Sequence, residues 1–175
     1  TLFRSGPQTD YFRSPDGSVV NNSAVIFTEV DNTKPFTFTA KVQPEFTETG
    51  TYSAGVIYAY ENDTHCQKLC FEQDEYGDHR VVSVRTLGTS DDNNHQAITA
   101  PYVYMRLSSD GTTLGSYFSE DGKIWRMARL YKNDFPEKLL IGISSQSPKD
   151  NEHTCLFTEV SLTDKPVADF RKGNI

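Results

Sequence analysis

Apolar and polar residues alternate in short runs along the whole chain, and the runs recur about every ten positions between clusters of Gly, Pro, Asn and Asp. Side chains on a strand point to opposite faces in turn, so a two-residue period marks half-buried strands, and regularly spaced runs of this kind mark an all-β sandwich. No stretch sustains the 3.6-residue period of an amphipathic helix. The pattern predicts strands over residues 9–14, 18–20, 24–30, 36–42, 53–60, 66–73, 80–87, 102–108, 113–119, 123–131, 139–144 and 154–162. That many strands exceed what one flat sheet comfortably holds. The expected fold class is therefore all-β, a two-sheet antiparallel β-sandwich of jelly-roll type, in a single domain over residues 1–175.

Three turns stand out. Pro15-Asp16-Gly17 reads as a tight reversal, and Asp110-Gly111 and Asp121-Gly122 carry the dipeptide that tolerates positive φ at hairpin corners. Residues 102–131 should then form a three-stranded meander. Thr89–Ala100, the Gln146–Asn151 loop and the tail after Pro166 read as the least ordered segments.

Composition supports this reading and narrows the function. The apolar residues are weighted toward Val, Ile, Phe and Tyr, which suit pleated sheets. The formal net charge of -7, with no basic stripe to override it, argues against a nucleic-acid partner. No apolar run approaches the roughly 20 residues of a membrane-spanning helix, so no membrane partner is expected either. Cys66, Cys70 and Cys155 make an odd count without metal-finger spacing, which points to a reducing, cytoplasmic setting. No cofactor or metal is called for. His65, His79, His95 and His153 are scattered, and Asp91-Asp92-Asn93-Asn94 lacks the spacing and glycine of a calcium loop, so it reads as a solvated acidic loop.

Alternation also places side chains. In 66–72, Cys66, Lys68, Cys70 and Glu72 share one face while Leu69 and Phe71 take the core side; in 102–107, Tyr102, Tyr104 and Arg106 oppose Val103, Met105 and Leu107. Arg85 lies opposite Val82 and Val84, and Tyr58 shares a side with Tyr60. Collected on one sheet, Tyr58, Lys68, Glu72, Arg85, Tyr104 and Arg106 would form an aromatic and charged surface suited to a sugar ring or another small polar ligand. The competing reading is an ordinary solvated face. Trp125 reads as a core anchor. Glu72 and Asp74, two residues apart, are a weak candidate for the carboxylate pair of a glycoside hydrolase.

Several segments together resemble a family of bacterial and fungal proteins without an assigned reaction, whose fungal representative is described as a regulator of enolase. The resemblance rests on Thr9-Asp10-Tyr11-Phe12-Arg13, Ser53-Ala54-Gly55-Val56, Lys68 with Glu72, Val84-Arg85-Thr86 through Ser90-Asp91, Ser119 through Trp125, and Ile141-Gly142 through Ser147-Pro148. It implies a concanavalin-A-like lectin and glucanase fold. The chain departs from the family pattern at Phe12, Cys66, Cys70 and Asp92, where relatives carry Trp, Trp, Gly and Trp. The expectation is a non-catalytic binding or regulatory module that uses one sheet face for a carbohydrate-like ligand. The rival expectations are a glycoside-active enzyme using Glu72 and a protein-interaction role in metabolic regulation.

Overall fold

A computed structural model describes all 175 residues. One six-stranded sheet runs β1 (Leu2–Ser5), β14 (His153–Thr163), β5 (Phe36–Pro44), β10 (Val103–Ser109), β11 (Thr113–Ser119), β12 (Arg126–Lys132). The second runs β4 (Ile26–Asp31), β13 (Lys138–Gln146), β6 (Ala54–Asn62), β7 (His65–Gln73), β8 (His79–Leu87), β9 (Thr89–Ala97). A separate hairpin, β2 (Tyr11–Arg13) with β3 (Val19–Asn21), belongs to neither. Strands far apart in sequence lie side by side, as in β5 between β14 and β10, and all pairings are antiparallel.

The alternation decides which residues fill the sandwich. Phe36, Phe38, Ala40 and Val42 from β5 and Val103, Met105 and Leu107 from β10 face Ile57 and Ala59 from β6, Leu69 and Phe71 from β7, and Ile141 and Ile143 from β13. Burying each large side chain contributes roughly 1.5–3 kcal/mol. The sheets pack tightly at Gly55, where a Cβ would stand 2.3 Å from Cys155 Sγ and 2.5 Å from Val42 Cγ1. The predicted turns form as read, with positive φ at Gly17 (92°), Gly111 (91°) and Gly122 (71°), and β10, β11 and β12 make the expected meander.

Four expectations are corrected. Leu2–Ser5 is a strand, paired with β14. Thr89–Ala97 is not a loop; it pairs with β8 along its length as the edge of the second sheet. The tail after Pro166 packs on the outer side of the first sheet: Val167 N donates to Ser108 Oγ (2.9 Å), Tyr117 Oη to Phe170 O (2.8 Å), and Arg106 Nη1 to Gly173 O (2.6 Å). Trp125 is half-buried outside the core, its ring 3.6 Å from the Arg106 guanidinium, because it sits in the turn before β12 on that same outer side.

Candidate functional site

The outer side of the second sheet is roofed by the β2–β3 hairpin. Over β4, β13 and β6 the space is filled: Tyr11 from the hairpin packs edge-on against Tyr58 and Tyr60, and Phe27 stacks on Tyr60 at 5.0 Å. Over β7, β8 and β9 it stays open as a cavity of about 900 Å³, within the usual range for small-ligand sites. Phe12, Val19 and Val20 of the hairpin form its roof, Val82 and Val84 part of its floor, and Tyr52, Glu75 and the Pro148-Lys149 turn its mouth.

The main polar groups of the cavity come from four segments. Lys68 and Glu72 project from β7, Asp92 and Asn94 from β9, Gln146 from the end of β13, and Asp10 from the approach to β2. Lys68, with a side chain only 3% exposed, donates from Nζ to Asp10 Oδ1 (2.6 Å) and Gln146 Oε1 (3.2 Å). Burial alone would pull its proton off, but the neighbouring carboxylates, Asp10 first, outweigh that and raise its pKa. The lysine is thus a charged, fully paired post that ties the roof to the floor.

Glu72 is in the opposite situation. It is buried, at 9% exposure, its carboxyl lines the cavity, and none of the side-chain hydrogen bonds of the site ends on it. Burial pushes its pKa well up; Lys68 opposes this, while Asp92, Asp10 and Asp74 add to it. Asp92 is also raised, first by desolvation, although the residue as a whole is exposed; its carboxyl shares the field of the cavity. A carboxyl shifted in this direction holds its proton to higher pH than a free one, and in that form it can donate as well as accept.

The hairpin is anchored at the closed end. Arg13 N donates to Ser90 Oγ and Arg13 Nε to Gly88 O, both at 2.9 Å, and Asn21 Nδ2 donates to Asp63 Oδ2 at 2.9 Å. Thr9 and Ser147 exchange backbone hydrogen bonds of 3.0 and 3.1 Å, which fixes Asp10 beside Gln146.

Residues 2–165 match the family described as "Protein of unknown function (DUF1349)". The chain belongs to this family. Among curated proteins none matches it. A functionally unknown protein from Saccharomyces cerevisiae shares the fold with a TM-score of 0.80 at 22% identity, over 93% of this chain and 86% of that one. The GH43 protein BlXynB from Bacillus licheniformis matches with a TM-score of 0.69 at 14% identity over 92% of this chain. A xylan beta-1,4-xylosidase from Bacillus halodurans matches with 0.66 at 13% identity over 91%. This chain spans 32% of each of those two proteins. At these identities the likeness is one of fold alone.

Within this DUF1349 fold the six residues read from the sequence as one ligand-binding surface do not share a face. Lys68 and Glu72 line the cavity together. Tyr58 lies on the same side of the sheet but is fully buried between Tyr11 and Phe27, sealed from any ligand. Arg85 points to the sandwich side, where it pairs with Asp134 (2.5 Å) and stacks on Tyr131. Tyr104 and Arg106 belong to the first sheet and face its outer side, Tyr104 donating to Glu159 and Arg106 to Thr39 (3.0 Å) and the tail. Alternation sorts residues within a strand, yet it does not say which strands share a sheet.

Asp74 does not partner Glu72 either. Its carboxylate accepts from the backbone of Tyr76 and Asp78 and from Arg80 Nε (2.6 Å). Burial favours its neutral form, but these donors together hold its pKa below the usual value. It closes the β7–β8 turn. Asp91 and Asn93 alternate away from the cavity, so only half of the acidic run reaches it; Asp91 instead binds Arg129 across the sandwich edge (2.9 Å). Cys66 and Cys70 are free and buried beside Lys68, with burial raising both thiols, which keeps them protonated and unreactive. No helix is long and apolar enough to cross a membrane.

Proposed function

We propose that this chain is a binding module whose ligand is a small, hydroxyl-rich molecule of the carbohydrate type, held between the β2–β3 hairpin and the outer side of β7, β8 and β9. The observation that carries this reading is the cavity itself. It combines apolar roof and floor patches with convergent amide and carboxyl groups from Asn94, Gln146, Glu72 and Asp92. Sugar rings need that mixture of apolar contact and hydrogen bonding. Lys68, already matched by Asp10, supplies rigidity in place of a free positive charge. A glycan-array and small-metabolite screen of the wild type, with Glu72→Ala as control, tests it. A hit that disappears in the variant is the expected result. No binding at millimolar ligand would remove the reading and favour the protein partner that the resemblance to the regulator of enolase implies.

One observation favours a second reading. Burial shifts the Glu72 carboxyl toward the protonated form a general acid requires, and Asp92 faces the same cavity. In that reading the module cleaves the glycoside it binds: Glu72 protonates the leaving oxygen while a water attacks the anomeric carbon and gives its proton to the Asp92 carboxylate. Reducing-sugar release from a bound oligosaccharide, abolished by Glu72→Gln with binding retained, would establish hydrolysis over binding alone.

A further inference from the structure

We infer that the ligand of this cavity carries a protonated amine, as in an amino sugar, and that the amine sits on the Glu72 carboxylate. The inference rests on the binding reading above and names the chemical class within it.

The cations on the strands around Glu72 have found partners elsewhere. Lys68 is held by Asp10 and Gln146, and Arg80, opposite Glu72 in the ladder, is taken up by Asp74. Glu72 alone is buried, aimed into the open space and without a hydrogen bond from the protein. A buried carboxyl without a protein donor is a place where a donor on a ligand gains a strong, charge-assisted contact. The surrounding field decides which ligand. The cavity holds four acids, Asp10, Glu72, Glu75 and Asp92, against two lysines, Lys68 and Lys149. Lys68 is consumed at 2.6 Å by Asp10. A phosphate or uronate would meet unpaired carboxylates, whereas an ammonium would neutralise one. The remaining Asn94 and Gln146 suit hydroxyls on the body of the same molecule.

Protonation supports this assignment. Burial first, then Asp92, Asp10 and Asp74, shift Glu72 toward its neutral form against the pull of Lys68, with Glu75 and Lys149 at the mouth. An arriving ammonium favours the ionised carboxylate, so binding expels the Glu72 proton. Affinity for an amine ligand therefore rises with pH while the amine itself stays protonated.

The experiment is calorimetric titration of the full chain with three matched trisaccharides: the β-1,4-linked trimers of glucosamine, of N-acetylglucosamine and of glucose. The expected result is that the glucosamine trimer binds about tenfold or more tighter than the other two, the scale of one charge-assisted hydrogen bond. Its affinity should increase from pH 5 to pH 6.5. Glu72→Gln, checked by thermal melting to be folded, should abolish both the preference and the pH dependence, and Asp92→Asn should weaken the preference without abolishing it. Equal binding of all three sugars, or an amine preference that survives Glu72→Gln, overturns the amine assignment and leaves the binding module standing. If none of the three binds while the glycan screen yields another sugar, the amine assignment again falls alone; no binding in either assay overturns both.

Discussion

Two buried side chains, Glu72 and His153, tie the stability of this protein to pH from opposite sides. In the unfolded chain Glu72 has a pKa of about 4.3; in the fold, burial raises it well above that. Between those values the native state keeps a proton that the unfolded state has lost, so stability falls as pH rises through the window. His153 acts from the other side. It is buried, its Nδ1 is 2.8 Å from Ser145 Oγ, its Nε2 has no partner, and burial lowers its pKa to about 4. From about pH 6.5 downward the unfolded chain gains a proton that the fold refuses, and stability falls as pH drops toward 4. Urea unfolding across pH 4–8 should show Glu72→Gln flattening the alkaline limb and His153→Phe flattening the acid limb. Variant curves running parallel to the wild type would contradict both assignments.

Among the strands, pairing outweighs intrinsic preference in one place and confirms it in most others. The runs of β5, β6, β7, β10 and β11 are legible because Val, Ile, Phe and Leu alternate against polar residues there. β9, Thr-Ser-Asp-Asp-Asn-Asn-His-Gln-Ala, has no such alternation and reads as a loop, but β8 offers it a full ladder, and Arg129 from β12 clips it from the opposite sheet. β1 is too short to show a period. The candidate site was legible only where one strand carries it. Lys68 and Glu72 share a face by simple parity, whereas Asp10, Asp92, Asn94 and Gln146 reach them through pairings between distant segments that no local pattern encodes. Close packing between the sheets makes its own prediction. Gly55→Ala would drive a methyl into Cys155 and Val42, and overpacking of this kind costs roughly 1–3 kcal/mol. Chemical denaturation reads it directly, and an unchanged midpoint would mean the sheets separate more easily than their packing implies.

At the scale of the molecule, two additions complete the sandwich. The hairpin roofs one outer side and the C-terminal tail covers the other, so each sheet has a partner on both faces over part of its area. Tyr117 and Arg106, buried although they point away from the core, owe that burial to the tail: Gly173 lies so close that a Cβ there would stand 2.4 Å from the Tyr117 ring. Truncation after Lys165 should expose both and remove three hydrogen bonds, lowering stability by about 1–3 kcal/mol while leaving cavity binding intact, since the two lie on opposite sides. Loss of ligand binding on truncation, at a temperature where the shortened chain remains folded, would show that the two outer sides are coupled.

The polar character of β9 bears on how copies of the chain treat one another. As the last strand of its sheet, it has no strand partner on its outer side, the kind of border on which a neighbouring molecule can lay a strand of its own, although Arg129 and Arg80 already occupy the carbonyls of Asp91 and His95. Its residues 91–94 are two aspartates followed by two asparagines, and all four are exposed. Two such borders approaching each other bring like charges together and gain little apolar contact. The residues that hide this strand from pattern reading thus also keep the sheet from growing by self-association.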